Sequence, residues 1–178
     1  MPQAKSLRAV ASGLPLIDQA RPGWLQMLTR RVMAAPDHDD PAEPLESLAR
    51  RGLLIRAADV KFVRLPESHP AMAWYRASSW EDIPDSPCSS INPAEHEFVA
   101  TQPTLRLDAI RYYVNSPDRT FINSDPDLAV ELLRLASGQL LIMEGHHRIA
   151  GALVAGWQLD AYIGDLTAQH MSEGHAHR

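Results

Sequence analysis

One short run of the sequence places chemically capable side chains next to one another: Glu144, Gly145, His146, His147 and Arg148. The planar guanidinium of Arg148 can grip phosphate oxygens in pairs. The imidazoles of His146 and His147 can donate hydrogen bonds, carry protons or bind metal. The carboxylate of Glu144 can hold a divalent cation or act as a base. This combination of groups is suited to binding a phosphate compound and acting on it.

The run lies between an apolar stretch and a stretch with helical periodicity. Residues 140–143 form an apolar stretch typical of a buried strand. Gly145 allows a sharp turn, because glycine adopts backbone angles that other residues avoid. Ile149 and Leu153 then recur at helical spacing, and Gly156 fits the position just past a helix end. The sequence therefore predicts a strand, a tight loop and a helix.

The predicted start of this helix would itself attract an anion. The first N–H groups of a helix have no backbone partner, and the helix dipole is positive there, so phosphate binds well. The alternative is an ordinary helix start whose polar groups are solvated. The strand before the loop and the helix after it supply the context that a phosphate loop needs, and this favours the ligand site.

These residues resemble the signature of the ParB/sulfiredoxin superfamily. The loop is similar to its Asp-Gly-His-His-Arg version, with Glu144 in place of aspartate, and the helix after it ends at Gly156 and Trp157. The resemblance covers roughly residues 140–166. It implies an α/β (α+β) fold, in which helices pack on a small mixed sheet, and a loop that holds nucleotide phosphates.

The length, the lone domain and the acidic balance also resemble the plasmid fertility-inhibition factors of this superfamily. That resemblance implies an ATPase and metal-dependent DNase that blocks conjugative DNA transfer. Its cofactors would be ATP and Mg²⁺ or Mn²⁺, and its partners would be a nucleotide, DNA at a local patch, and conjugation or type IV secretion components. Two alternatives stay open: a non-catalytic module that binds a nucleotide or a secretion-system protein, and a small-molecule kinase of the serine type.

The resemblance also implies roles for the residues of the loop. Glu144, His146 and Arg148 would be catalytic, and Glu144 would hold the metal ion. The nucleotide would be bound by Gly145, His146, His147 and Arg148. In sulfiredoxin the reactive cysteine lies inside this loop, where this chain has His146. Sulfinic-acid repair is therefore not expected.

Composition limits the ways in which the protein can bind nucleic acid. The chain has 178 residues and a net charge of -5, which argues against nonspecific nucleic-acid binding by the whole surface but allows a local basic patch. Trp74, Tyr75 and Trp80 could stack on bases. Their spacing favours core or loop anchors instead.

The single cysteine and the absence of long apolar runs indicate in which cellular compartment the protein is expected. Cys88 excludes an internal disulfide and a multi-cysteine zinc site, and fits a reducing compartment. It has no basic neighbours that would lower its pKa, so it is not proposed as a nucleophile. No stretch approaches the roughly 18 apolar residues of a membrane-spanning helix. A cytoplasmic protein is expected.

Three segments are predicted along the chain. Residues 1–58 form an N-terminal helical extension on the same body, residues 59–168 form the ParB/sulfiredoxin-like domain, and residues 169–178 form a flexible tail.

The extension is predicted to contain two helices separated by a loop. The first helix opens at Pro22. Its apolar face is formed by Trp24, Met27, Leu28 and Val32. Residues 37–40 form a solvated loop rather than a cation site. The second helix covers residues 45–51 and stops at Gly52.

Several further elements are predicted from periodicity. Residues 60–65 and residues 159–163 are typical of strands. Asn92 caps a short helix. Residues 105–107 begin as a strand, and residues 108–114 fit a helix or a strand equally well.

A helix is also predicted to begin at residues 125–127. Its apolar face is formed by Leu128, Leu132, Leu133 and Leu135. In sulfiredoxin the helix before the phosphate loop also begins with Asp-Pro, and it carries a lysine and a serine that help bind nucleotide. The comparable positions here hold Leu128 and Glu131, so a weaker or different hold on phosphate is expected on that side.

Overall fold

Helices packed on a mixed sheet make up the part of the chain that the structure describes. The structure is a computed structural model, and it describes residues 21–38, 40–77, 88–116 and 129–166. The predicted α+β class, a small mixed sheet with packed helices, is confirmed. A search of the described residues for a helix with the length and apolar character needed to cross a membrane found none.

The elements are named here in chain order. The helices are α1 (Gly23–Ala34), α2 (Leu45–Arg50), α3 (Pro70–Ala77), α4 (Leu107–Asn115) and α5 (His146–Ala155). The strands are β1 (Leu54–Arg56), β2 (Cys88–Ile91), β3 (Phe98–Val99), β4 (Thr104–Arg106), β5 (Val130–Arg134), β6 (Leu140–Glu144) and β7 (Leu159–Asp165). Short 3-10 helices cover Ala57–Val60 and Pro93–Glu95.

The larger sheet brings β6 to a position between β5 and β3. Its strand order is β2-β7-β5-β6-β3, in which β7 pairs with β5 and β6 with β3 in parallel, and the other neighbours are antiparallel. Strands β1 and β4 form a separate antiparallel pair. Because α5 follows β6 after one residue, the start of α5 lies at the end of an interior strand.

The core holds α5 firmly against the sheet and against α4. Ile149, Ala150, Ala152 and Val154 of α5 are fully buried in the larger of two hydrophobic clusters. At Gly151 the two helices come close, since an added Cβ would lie 3.0 Å from the Cβ of Tyr113. The close packing fixes where α5 begins, because a helix packed along its length cannot shift along its axis without losing its contacts.

The strand, loop and helix around residue 145 are confirmed. Strand β6 ends at Glu144, Gly145 has a φ of 103°, and α5 ends at Ala155, just before Gly156, whose φ is 73°. The predictions of α2, of the short helix capped by Asn92 and of the closing strand are also confirmed. The open choice over residues 108–114 is settled as a helix, which begins at Leu107 directly after the predicted strand, so that strand ends one residue early.

The predicted helix after residue 125 is wrong where the structure describes it. Val130 to Arg134 form β5 in the middle of the sheet, while residues 125–128 lie outside the described residues. Leu132 packs in the larger cluster and Leu133 in the smaller one, so both faces of the strand are buried. A strand buried on both faces has a continuous apolar run, which periodicity cannot distinguish from a helix.

The predicted strand at residues 60–65 is also wrong. Val60 ends a 3-10 helix, and Lys61 has a φ of 64°, which breaks the extended conformation. Val63 makes only an isolated parallel bridge with Val99. The apolar side chains of this stretch still serve the core, since Phe62 is buried.

The predicted apolar face of α1 is wrong at one position. Leu25, Leu28, Thr29 and Val32 are buried, whereas Met27 is 47% exposed. The apolar stripe of α1 therefore runs through Leu25 instead.

The aromatic side chains of α3 serve the core. Trp74 is buried in the smaller hydrophobic cluster and Tyr75 packs against that cluster. Both therefore act as core anchors, which is the role that their spacing favours. Trp80 lies outside the described residues.

The described part of the predicted N-terminal extension belongs to the same body as the rest. Helix α1 and strand β1 contribute to the larger hydrophobic cluster, and β1 pairs with β4. The boundary at residue 58 stays a prediction. The predicted tail lies outside the described residues.

Candidate functional site

A cavity of about 320 Å³ lies at the N-terminal end of α5. All of the residues from Glu144 to Arg148 line it, so the structure brings together the side chains singled out in the sequence. Gln102 and Tyr113 line it as well. Neither was predicted as a site residue, since each is distant from the loop in sequence and belongs to no chemical motif.

Gly145 makes the tight turn at the mouth of this cavity. Its φ of 103° lies in the region that favours glycine. An added Cβ would also lie 2.4 Å from Cγ1 of Val130, which is closer than packed atoms can approach. The turn therefore requires glycine on both counts, and it allows α5 to begin one residue after β6.

His146 is held by the segment that follows β3. The ring is 2% exposed, and its Nε2 accepts a hydrogen bond from the backbone N–H of Thr101 at 3.1 Å. The hydroxyl of Thr101 donates to the carbonyl of Ile142 at 2.9 Å. Burial, together with the charges of His147 and Arg64, lowers the pKa of His146 to about 4. The folded protein thus holds this imidazole neutral at physiological pH.

His147 is held in the same way from β4. Its Nε2 accepts a hydrogen bond from the backbone N–H of Arg106 at 3.0 Å. Burial, reinforced by the positive charge of Arg106, lowers the pKa of His147 to about 4, although Asp108 opposes the shift. For Nε2 of either ring to act as an acid or a base, its hydrogen bond to the backbone would first have to break. That bond comes from Thr101 for His146 and from Arg106 for His147.

A buried ion pair fixes the residue that holds His147. Nε and Nη2 of Arg106 donate to the two oxygens of Asp108 at 3.1 and 2.6 Å, and Asp108 is 3% exposed. Arg106 also donates to the carbonyls of Asp40 and Pro41. Burial acts to raise the pKa of Asp108, but hydrogen bonds from Arg106 and His38 outweigh it and hold that pKa below its ordinary value. Part of the predicted solvated loop is thus anchored next to the site.

Arg148 lines the cavity between Tyr113 of α4 and Ala129, the residue before β5. Its Nη1 donates to the carbonyl of Ala129 at 3.3 Å, and its guanidinium carbon lies 5.7 Å from the centroid of the Tyr113 ring. An arginine over an aromatic face is attracted by the negative charge of the ring face. The cation is therefore oriented by its neighbours before any ligand arrives.

A second carboxylate lies beside Glu144. A β-bulge between Glu131 and Leu132 brings Glu131 opposite Glu144 on the neighbouring strand. Burial and the charge of Glu144 raise the pKa of Glu131, while Arg148 acts in the other direction. Metal binding was predicted for Glu144 alone, and the structure adds Glu131 beside it, because the segment predicted to be helical forms β5.

This pair is where a divalent cation would bind. Carboxylate oxygens are the ligands that Mg²⁺ prefers, and such an ion usually keeps several waters and bonds to one or two carboxylates plus substrate phosphates. In the ranges that the structure describes, no group of three or more His, Cys, Asp or Glu side chains forms a metal cage. Glu144 as a metal ligand stays a prediction, with Glu131 added as its partner.

Cys88 lies on β2, away from this cavity. Partial burial, together with the charge of Asp160, raises the pKa of its thiol. A raised pKa disfavours the reactive thiolate.

The site and fold together define a small α+β protein with a polar cavity at a strand-to-helix turn. Comparison with models of known protein families, with curated proteins and with solved structures found no match for the chain. The resemblance to the ParB/sulfiredoxin superfamily therefore stays a prediction, carried by the residues of the loop.

The burial of the two imidazoles predicts a loss of folding stability as the pH falls below about 6.5. Both rings stay neutral in the folded protein down to a pKa of about 4, whereas the unfolded chain protonates them near 6.5. Between these values the unfolded state binds more protons, so acid favours unfolding by up to about 1.4 kcal/mol per pH unit for each ring. Urea unfolding from about pH 4.5 to 8 measures this dependence.

A matched pair of variants identifies the source of this acid sensitivity. His147→Gln should reduce the slope of the unfolding free energy against pH by the contribution of one ring. His96→Gln, which alters an exposed histidine, should leave that slope unchanged. Three parallel curves would contradict a neutral, buried His147.

Proposed function

We propose that this protein is a nucleotide phosphohydrolase whose phosphate site is the N-terminal end of α5. One observation carries the proposal: the Gly145 turn, the first N–H groups of α5 and the guanidinium of Arg148 all border one cavity. The N–H groups at the positive end of a helix attract phosphate, and Arg148 adds a full charge. The ligand that fits this chemistry is the polyphosphate of ATP.

The proposed reaction is attack of water on the terminal phosphorus of ATP, which breaks the bond to the bridging oxygen and releases ADP and inorganic phosphate. Such a transfer needs the charge on the nonbridging oxygens neutralised, and Arg148 with the α5 amides would do this. Glu144, with Glu131 beside it, would hold Mg²⁺ or Mn²⁺ or orient the attacking water. His146 and His147 would help bind the phosphate. A general-base role for either ring at Nε2 is disfavoured by its hydrogen bond to the backbone.

The same chemistry could act on the phosphodiester of DNA. The resemblance to plasmid fertility-inhibition factors such as Osa supports a cytoplasmic protein that cleaves DNA and blocks conjugative transfer. Because the chain has a net charge of -5, DNA would bind at a local basic patch and not over the whole surface. Conjugation or type IV secretion components are the proposed partners.

A second candidate function is a non-catalytic nucleotide-binding module. The observation that favours it is that Nε2 of both histidines is already committed to a backbone N–H. Without an imidazole base, turnover would rest on the carboxylates alone. Purified protein incubated with ATP and Mg²⁺ distinguishes the two functions, because only the enzyme releases phosphate.

Arg148→Ala is expected to weaken the binding of ATP by about 1.5–3 kcal/mol, the scale of a hydrogen bond to a charged group. Isothermal titration calorimetry with ATP measures the change. Arg134→Ala is the matched control, because it removes the same charge from the far end of β5, where Arg134 pairs with Asp165. Equal affinities of Arg148→Ala and the control would remove Arg148 from the site.

A further inference from the structure

We propose that His147 and His146, as neutral rings, each donate a hydrogen bond from Nδ1–H to a bound phosphate. Each ring is fixed in that tautomer by a backbone N–H of residues 101–106. This inference rests on the proposed function for the identity of the ligand. It goes beyond that function in assigning a proton position to each ring and a positioning role to the segment that holds them.

The tautomer of His147 follows from its hydrogen bond to β4. The backbone N–H of Arg106 can only donate, so Nε2 of His147, at 3.0 Å, must be the acceptor. A neutral imidazole with an unprotonated Nε2 carries its proton on Nδ1. His147 lines the cavity, and Nδ1–H is the polar group of the ring that remains for a ligand.

His146 leads to the same conclusion from a different contact. Its Nε2 lies 3.1 Å from the N–H of Thr101 and 3.2 Å from the hydroxyl of the same residue. The hydroxyl has one proton, and it donates that proton to the carbonyl of Ile142. The hydroxyl oxygen is compatible with either tautomer, but the backbone N–H of Thr101 can only donate, so it fixes Nε2 as an acceptor and places the proton of His146 on Nδ1.

The ion pair of Arg106 and Asp108 makes Arg106 a positioning residue for His147. The side chain of Arg106 is fixed by both oxygens of Asp108 and by the carbonyls of Asp40 and Pro41. Its backbone N–H, at the end of β4, is thereby fixed as well. The loop at residues 40–41 is thus coupled to the orientation of His147 through one residue.

The donor role limits what the cavity can bind. Two neutral N–H groups, the α5 amides and Arg148 are all donors, so the matching ligand atoms are acceptors such as phosphate oxygens. Because the rings donate in their neutral form, they need not be protonated to bind phosphate.

The first test is ¹⁵N NMR of the imidazoles in the full chain at about pH 7, where an unperturbed histidine is mostly neutral and its tautomer is observable. The couplings between ring protons and nitrogens identify the protonated atom, and His147→Gln assigns the signals. We expect His147 to have a proton on Nδ1 and none on Nε2. A proton on Nε2, alone or with one on Nδ1, would overturn the proposal. This result requires no ligand, so it stands apart from the proposed function.

The second test compares His147→Asn with His147→Gln, using ATP as the probe. The asparagine amide lies where Nδ1 was and keeps a donor for the ligand, whereas the glutamine amide lies near Nε2 and keeps only an acceptor for Arg106. We expect His147→Asn to bind ATP at least about 10-fold more tightly than His147→Gln. Equal affinities, or tighter binding by His147→Gln, would mean a structural role only and would overturn the donor role. A wild-type chain that binds no ATP would overturn the proposed function and the ligand half of the inference together.

Discussion

Glu144→Gln is expected to lower the rate of ATP hydrolysis by about 10²–10⁴-fold, the range for loss of a positioned catalytic carboxylate. The substitution keeps the shape of the side chain and removes the charge that would hold Mg²⁺ or orient water. The variant should still bind ATP in the absence of metal, because the substitution removes a negative charge that would repel the phosphates. Single-turnover hydrolysis of labelled ATP, with and without EDTA, measures the effect.

Two further variants define what this result means. Glu97→Gln removes the same charge from an exposed residue at the other end of β6, where Leu140 donates to its carbonyl, and it should hydrolyse ATP at the wild-type rate. Glu131→Gln tests the second carboxylate. Full activity of Glu144→Gln with loss in Glu131→Gln would transfer the metal role to Glu131. Full activity of both would contradict a catalytic carboxylate pair.

Asp108→Ala is expected to destabilise the fold by about 3–5 kcal/mol, the usual cost of removing one partner of a buried ion pair. Arg106 would be left with an uncompensated charge, since its side chain is only 11% exposed. Urea or thermal unfolding followed by circular dichroism measures the loss.

Asp59→Ala is the matched control for this variant. Asp59 accepts from Nε and Nη2 of Arg56 at 3.0 and 2.7 Å, in the same forked arrangement, but Arg56 is 76% exposed. Exposed pairs contribute little, because water screens the charges. A loss in Asp108→Ala no larger than that in Asp59→Ala would show that burial of the Arg106–Asp108 pair adds nothing to stability.

The elements nearest the site could be predicted because their signals are local. An apolar run, Gly145 and a helical stripe that ends at Gly156 follow one another without interruption, and glycine is required by the turn itself. The site residues of this segment adjoin one another in the chain, so a correct local prediction also brings them together.

The remaining parts of the site depend on contacts between distant residues. Thr101 and Arg106 hold the two histidines through their backbone N–H groups, which every residue except proline has, so neither stands out in a sequence. The position of Glu131 opposite Glu144 became visible only with the register of β5 against β6. The run from Val130 to Leu135 suits a helix or a fully buried strand equally well, and the sheet decides between them.

Backbone amide NMR of the labelled full chain maps where ATP binds. If a nucleotide phosphate binds at the N-terminal end of α5, ATP should shift the amide signals of Gly145, His146, His147 and Arg148 most strongly. Arg148→Ala should weaken these shifts at equal ATP concentration. Binding that leaves these four amides unchanged, or the absence of any shift at millimolar ATP, would contradict a phosphate site at that end of α5.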